Sequence, residues 1–391
     1  MLVVLRKFFL VDDETLSLER GTTFWHYLFL ALFFLSTRSI IIYVHYLQGR
    51  GLMDGAGNLA LAEYIKAFGK LPLSEGFGRF FPGVPILIAL LDSFVEHITI
   101  SGFIVVWGTA LLAVLLFHRL FQNFRMSVIH AVFLPAWLAN TSTILGEGTA
   151  LFLYLLFLFS TGLKFCSALH LALLFLSGYA LVCRPSTALL IFPFLLTQFL
   201  TSNDKRVYTF ALSSLLVSTP FLLYVVWAYF STGEIFPQLE LQKETFQFHT
   251  YRSQGYYPNT PLTWPGYALA LGFFDFTYVS FLKKAINFVH IILVVVAAVN
   301  LLSVCRNVSL APRHQAFYLP FTVTFFIVLL FTLMIGGPFG HTQFYRYIAT
   351  HMNPIVIFAL FDRYHLKWSW ISAIALLNIV AACFAGSVGP F

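Results

Sequence analysis

The residues best suited to chemistry are carboxylates and guanidiniums at the ends of apolar runs. Residues 52–63 read LMDGAGNLALAE, directly after the first apolar run of helix length. Asp54 is a carboxylate between flexible glycines at that run's end. Such a group could take a proton from an acceptor hydroxyl or orient it. Gly51, Gly55 and Gly57 let a backbone approach a substrate closely. The plain alternative is that Asp54 caps a helix starting near Asn58. Glu63, on that helix, reads as structural.

Glu147 lies in STILGEGTALFLY, where an apolar run begins at once. A helix dipole favours a carboxylate at this position. With Asp54 on the same membrane face, the two acids could hold an acceptor or a divalent cation. Arg79 opens RFFPGVP, whose prolines suit an entry turn. Its guanidinium could bind a lipid phosphate or simply snorkel to the surface. Arg184-Pro185 joins two apolar runs, with a proline able to start a helix. Residues 336–347 read GGPFGHTQFYRY. There His341, Gln343, Arg346 and Tyr347 could converge on a phosphate, with arginine supplying a bidentate fork. The competing reading is a connecting loop with interfacial aromatics.

The elements that must position these groups are membrane helices. Apolar residues make up 59% of the 391, and only 10% are Asp, Glu, Lys or Arg. Soluble domains carry about 25% charged residues. Runs of roughly 17–25 apolar residues are the mark of bilayer-spanning helices. Continuous rather than alternating apolarity excludes a transmembrane β-barrel. The fold class is therefore all-α, a polytopic transmembrane bundle of about 10–12 spans. The net charge of +7 is spread thinly, which argues against nucleic-acid binding and fits a membrane surface. Cys166, Cys183, Cys305 and Cys383 have no metal spacing, and their place in or beside apolar runs argues against a disulfide framework.

Residues 1–391 read as one integral membrane domain. The first span is 24–47, and Arg6 and Lys7 before it favour a cytoplasmic N-terminus. The polar segment 48–79 is the first extracytoplasmic loop. It carries Asp54 and an amphipathic surface helix over Asn58–Phe68, with Leu59, Ala62, Ile65 and Phe68 on one side. Further apolar runs lie near 80–95, 98–118, 127–140, 149–163, 166–182, 185–200, 207–230, 264–282, 286–304, 317–335, 348–361 and 367–385. The runs 80–95 and 127–140 are short enough to be tilted, re-entrant or broken. If 80–95 does not cross, Asp54, Glu147 and Arg184 share one side, opposite Arg119, Arg125, Lys164 and Lys205. The stretch 231–263 is a longer polar loop, with a composition that suits a substrate lid and equally a plain structural loop.

Taken together, the Asp54 loop, RFFPGVPILIALL from Arg79, EGTALFLYLLF from Glu147 and RPSTALLIFPFLL from Arg184 resemble the GT-C superfamily of polytopic glycosyltransferases. The Arg346-Tyr347 loop is a fifth, looser likeness. The resemblance implies an inverting, single-displacement transfer of a hexose, for instance mannose, from a polyprenyl-phosphate donor. The acceptor would be a lipid, a glycan or a protein at the lumenal or extracytoplasmic face. It makes Asp54 and Glu147 the catalytic carboxylates and Arg79, Arg184 and Arg346 the donor-phosphate contacts. His341, Gln343 and Tyr347 would position substrate. Many relatives carry a paired acidic motif where Asp54 stands alone, and Glu147 replaces an Asp common at the second position. No cofactor is certain, and a divalent cation held by Asp54 and Glu147 stays open. Membrane lipids and the donor are the expected partners, with no nucleic acid. The membrane would be the plasma membrane in a prokaryote or the endoplasmic reticulum in a eukaryote. The alternatives are a multi-pass transporter or flippase for a lipid or anionic substrate, and a noncatalytic subunit of a glycosylation complex. Charges inside true spans would favour transport, whereas the charges singled out above lie at span ends.

Overall fold

The computed structural model describes residues 23–49, 55–72, 80–201, 206–238, 292–303, 312–334, 352–362 and 367–385. These form helices α1 (Phe24–Leu47), α2 (Gly55–Phe68), α3 (Gly83–Val95), α4 (Ile98–Phe121), α5 (Phe124–Val132), α6 (Pro135–Ser142), α7 (Glu147–Ser160), α8 (Ala168–Cys183), α9 (Ala188–Thr201), α10 (Arg206–Thr232), α11 (Ile292–Ser303), α12 (Pro312–Met334), α13 (Asn353–Phe361) and α14 (Trp368–Ala385). There is no strand among the described residues. Helices α1, α4 and α10 are long and apolar enough to cross a membrane. The protein is a multi-span, all-α membrane protein.

Local chemistry sets the boundaries. Thr23 Oγ1 accepts from His26 N at 3.3 Å and starts α1. The helix then buries a narrow stripe of Leu30, Phe34, Thr37, Arg38, Ile41 and His45. Phe29, Leu32, Ile40 and Tyr43 stay exposed, as a lipid-facing surface requires. The run expected over 127–140 is broken into α5 and α6. Pro135 at the first turn of α6 pushes Leu134 into extended backbone (φ −125°, ψ 134°), which ends α5. The carbonyls of Val132 and Phe133 at this break accept from Asn378 Nδ2 of α14. Polar side chains join membrane helices in this way where backbone bonds are lost.

The helices run between two ends. At one end Phe317 meets both Phe121 and Phe194, and Phe358 packs on Phe121, Phe317 and Phe321. His26 stacks on Phe124, and Arg125 lies over the Trp368 ring at 5.3 Å. Arg119, in the last turn of α4, and Lys164, between α7 and α8, belong to this aromatic end as well. Helices α7 and α8 form an antiparallel pair. The Ser160 carbonyl sits 2.9 Å from His170 Nδ1 at the aromatic end, and Glu147 meets Arg184 at the other. Helix α10 runs in the same direction as α8: Tyr208 touches Phe165, and Val217 backs onto Gly178.

Helices α2 and α3 stay near the Glu147 end. Gly83, the first residue of α3, touches Cys183. Near its other end Asp92 accepts from Ser101 Oγ at 3.2 Å, and Gly102 beside it touches Ile144. Both ends of α3 are thus held at the Glu147 end of the bundle. The run 80–95 therefore does not carry the chain to the aromatic end. The surface helix expected over 58–68 begins three residues earlier. Its inner face holds Asn58, Leu59, Leu61 and Ala62, whereas Phe68 is exposed.

Candidate functional site

Glu147 and Arg184 are brought together by two helix ends. The carbonyl of Gly146 accepts from Ala150 N at 3.0 Å, so Glu147 is the first residue of α7. Its carboxylate lies at the positive end of that helix dipole. Arg184 closes α8: its N–H donates to Ala180 O at 2.7 Å while its own backbone is extended (φ −153°, ψ 104°). Pro185 disfavours helical backbone at the residue before it, so the chain leaves α8 at Arg184. A short 3-10 turn, Pro185–Thr187, then leads into α9. The exit directs the Arg184 guanidinium onto Glu147, and Nη2 donates to Oε1. The Glu147 side chain is wholly buried and that of Arg184 is 16% exposed.

Two further segments close on this pair. A Cβ on Gly83 would stand 2.5 Å from Cys183 N and 2.6 Å from Cys183 Cα. The start of α3 therefore lies backbone to backbone against the end of α8, which only glycine permits. Tyr179 Oη of α8 donates to Gly83 O at 2.8 Å and ties the two together. A Cβ on Gly146 would meet Val84 Cγ2 at 3.1 Å. The start of α2 reaches the same turn: Asn58 Nδ2 donates to Ile144 O at 2.8 Å, and Gly55 lies against Ile144 N. Phe80 covers Gly57. Four stretches far apart in sequence thus meet at one end of the bundle, at the starts of α2, α3 and α7 and the end of α8. Helix starts offer backbone N–H groups without helical partners, an arrangement suited to anionic groups.

Of the expected site residues, Glu147 and Arg184 are described, and they pair with each other. Asp54, Arg79, His341, Gln343, Arg346 and Tyr347 lie outside the described residues, as does most of the 231–263 loop. The chain neighbours of two of them, Gly55 and Phe80, do stand in the cluster. Among the described residues no group of three or more His, Cys, Asp or Glu side chains could hold a metal ion.

Beside the cluster, Asp92 of α3 is paired with Lys66 Nζ of α2 at 2.6 Å. Hydrogen bonding from Lys66, then its charge and the Ser101 hydroxyl, hold the Asp92 carboxyl below its ordinary value. This pair locks α2 along α3.

Sequence reasoning passed over Arg38. It lies 14 residues into the 24-residue α1 and is 0% exposed. The expectation that the telling charges sit only at span ends is therefore corrected. The signal was present: an arginine inside an otherwise apolar span marks a functional position by default. Arg38 Nε donates to Thr141 Oγ1 at 3.0 Å, and Thr141 packs against Gly148, next to Glu147. No protein-family model, no curated protein and no solved structure matches this chain.

Proposed function

We propose that this protein is a membrane glycosyltransferase of GT-C-like architecture, with about 10–12 spans. In this reading it moves a hexose, for instance mannose, from a polyprenyl-phosphate donor to a lipid, glycan or protein acceptor. The observation that carries the proposal is the meeting of four sequence stretches around Glu147 and Arg184. They are the same four that resemble the superfamily, and nothing in their spacing along the chain requires them to touch.

The basic residues Arg119, Arg125 and Lys164 gather at the aromatic end. By the positive-inside rule that end faces the cytoplasm. The Glu147 end is then extracytoplasmic or lumenal. Asp54 takes the acceptor hydroxyl's proton as the new bond to the sugar's anomeric carbon forms. The bond from that carbon to the phosphate oxygen breaks, and lipid phosphate leaves with the electron pair. Arg79, Arg184 and Arg346 stabilise the phosphate's charge, while His341, Gln343 and Tyr347 position substrate. Glu147 holds the Arg184 guanidinium in place. A carboxylate already charge-paired in this way is a poor ligand for a divalent cation, which favours a metal-free transfer.

A transporter for a lipid or anionic substrate is the second reading, supported by one observation: Arg38 is buried midway along a span. Purified protein incubated with labelled mannosyl, glucosyl and arabinosyl polyprenyl phosphates and a lipid extract separates the two. Sugar appearing in a new product supports the transferase. No product from any donor, with monodisperse protein and an active control enzyme, supports transport.

A further inference from the structure

Behind the start of α7 lies a group of buried polar side chains that the transfer reaction does not use. Arg38 of α1 stacks its guanidinium over Phe34 at 4.3 Å. Nε donates to Thr141 Oγ1 at 3.0 Å and Nη1 to Thr37 Oγ1 at 3.1 Å, but Nη2 has no partner. No acidic side chain among the described residues pairs with it. Within electrostatic reach is His130 of α5, stacked between Phe117 (ring centroids 4.2 Å apart) and Trp137 (5.8 Å). Asn353 of α13 lies beside His130. Asn353 is placed to hydrogen-bond the His130 ring, which occupies one polar atom of each, while Trp137 Nε1 and the remaining polar atoms of His130 and Asn353 are buried without partners.

Such atoms are individually rare in folded proteins, and the four that remain beside the His130–Asn353 contact call for an occupant. Their chemistry says which kind. Arg38 Nη2, Trp137 Nε1 and Asn353 Nδ2 can only donate, and a neutral imidazole contributes one more donor. Acceptors are few: Asn353 Oδ1 and the other imidazole nitrogen, and the His130–Asn353 contact uses one acceptor and one donor. An unpaired guanidinium out of water also requires negative charge nearby. A cation is excluded by Arg38, and a neutral donor would leave the surplus donors unmatched.

We propose that Arg38, His130, Trp137 and Asn353 form a binding site for an oxyanion, of the phosphate monoester class. Arg38 supplies the charge and one edge of its fork. The indole and amide N–H groups bind the remaining oxygens, and the Phe117 and Trp137 rings hold the imidazole by stacking on it. Because Thr141 links Arg38 to Gly148, the site lies directly behind the Glu147 turn. The proposal does not depend on glycosyl transfer, since a transporter would use the same site.

The test is ligand-dependent thermal stability of the purified full chain in phosphate-free detergent buffer. The probes are inorganic phosphate, farnesyl phosphate and farnesol. Wild type should be stabilised by one or both phosphates and not by farnesol. Stabilisation by farnesyl phosphate alone assigns the oxyanion to a lipid, and by both to phosphate as such; either supports the proposal. Arg38→Gln should abolish the shift. Trp137→Phe, which keeps an aromatic ring stacked on His130 and deletes one donor, should weaken apparent phosphate affinity by about 10-fold, so the test stands even if Arg38→Gln does not fold. Wild type with no shift from either phosphate overturns the proposal and makes the site merely hydrated. An unchanged shift in Trp137→Phe, or in folded Arg38→Gln, overturns it as well by placing binding elsewhere.

Discussion

Gly83 offers the sharpest test of how the candidate site is held together. Replacing it with alanine adds one methyl group at a point 2.5 Å from Cys183 N and 2.6 Å from Cys183 Cα. These are backbone atoms and cannot rotate aside. The start of α3 must move by roughly 1 Å to restore van der Waals contact. That movement lengthens the Tyr179 Oη to Gly83 O bond, now 2.8 Å. Overpacking of this kind costs about 1–3 kcal/mol, and a lost hydrogen bond costs about 1 kcal/mol more. The expected loss for Gly83→Ala is therefore about 2–4 kcal/mol. Gly108 in α4 is the control, because a Cβ there meets nothing within 4 Å. Gly108→Ala should gain about 0.5–1 kcal/mol from helix propensity. The assay is unfolding in mixed micelles, followed by thiol labelling of Cys183 with Cys166, Cys305 and Cys383 changed to serine. Buried Cys183 should become reactive in Gly83→Ala at denaturant levels where wild type protects it. Equal stability of the two alanine variants, with Cys183 equally protected, would refute the packing argument.

Removing one partner of a buried ion pair costs about 3–5 kcal/mol, and the 16% exposure of Arg184 places this pair at the lower end. Glu147→Gln and Arg184→Gln should each destabilise by about 3 kcal/mol, and the double variant should lose less than the two single losses combined. Strict additivity in a double-mutant cycle would contradict a direct pairing. The Lys66–Asp92 pair predicts a pH dependence of known sign. A carboxyl held below its ordinary value of 3.8 stabilises the fold above that pH and stops doing so as pH falls through its folded value. The stability gap between wild type and Asp92→Asn should be present at neutral pH and close as acid protonates the carboxyl. A gap unchanged well below 3.8 would show that Asp92 acts through packing instead.

Much of the helical frame was readable because apolar length and proline placement are local signals. Pro185 marked the start of a new helix after Arg184, whereas the short run 127–140 could be posed as broken from its length alone, and the restriction that Pro135 places on Leu134 is what breaks it. The failure of 80–95 to cross could be posed from length and charge but not decided. Which end of α3 touches which neighbour depends on the glycine contact at Gly83 and on the Asp92–Lys66 pair, both long-range. Glu147 and Arg184 were each identified as charged groups at helix ends. Their pairing was not foreseen, because 37 residues and a whole helical hairpin separate them. Arg38 was missed through attention to span ends, although its position inside an apolar run was plain in the sequence. His130, Trp137 and Asn353 carried no sequence signal at all, because each is ordinary in type and they meet only through the packing of α5, α6 and α13.

The central claim is that this chain transfers sugar and that Asp54 carries the proton step. The most direct measurement compares purified wild type with Asp54→Asn, side by side, for transfer of labelled sugar from a polyprenyl phosphate to a lipid-extract acceptor. The substitution keeps size and hydrogen bonding and removes the base, so general-base catalysis predicts a fall of about 10²–10⁴-fold. Matched unfolding midpoints for the two proteins would tie that fall to chemistry. Wild-type transfer that survives in a well-folded Asp54→Asn would contradict the account and move the catalytic carboxylate elsewhere.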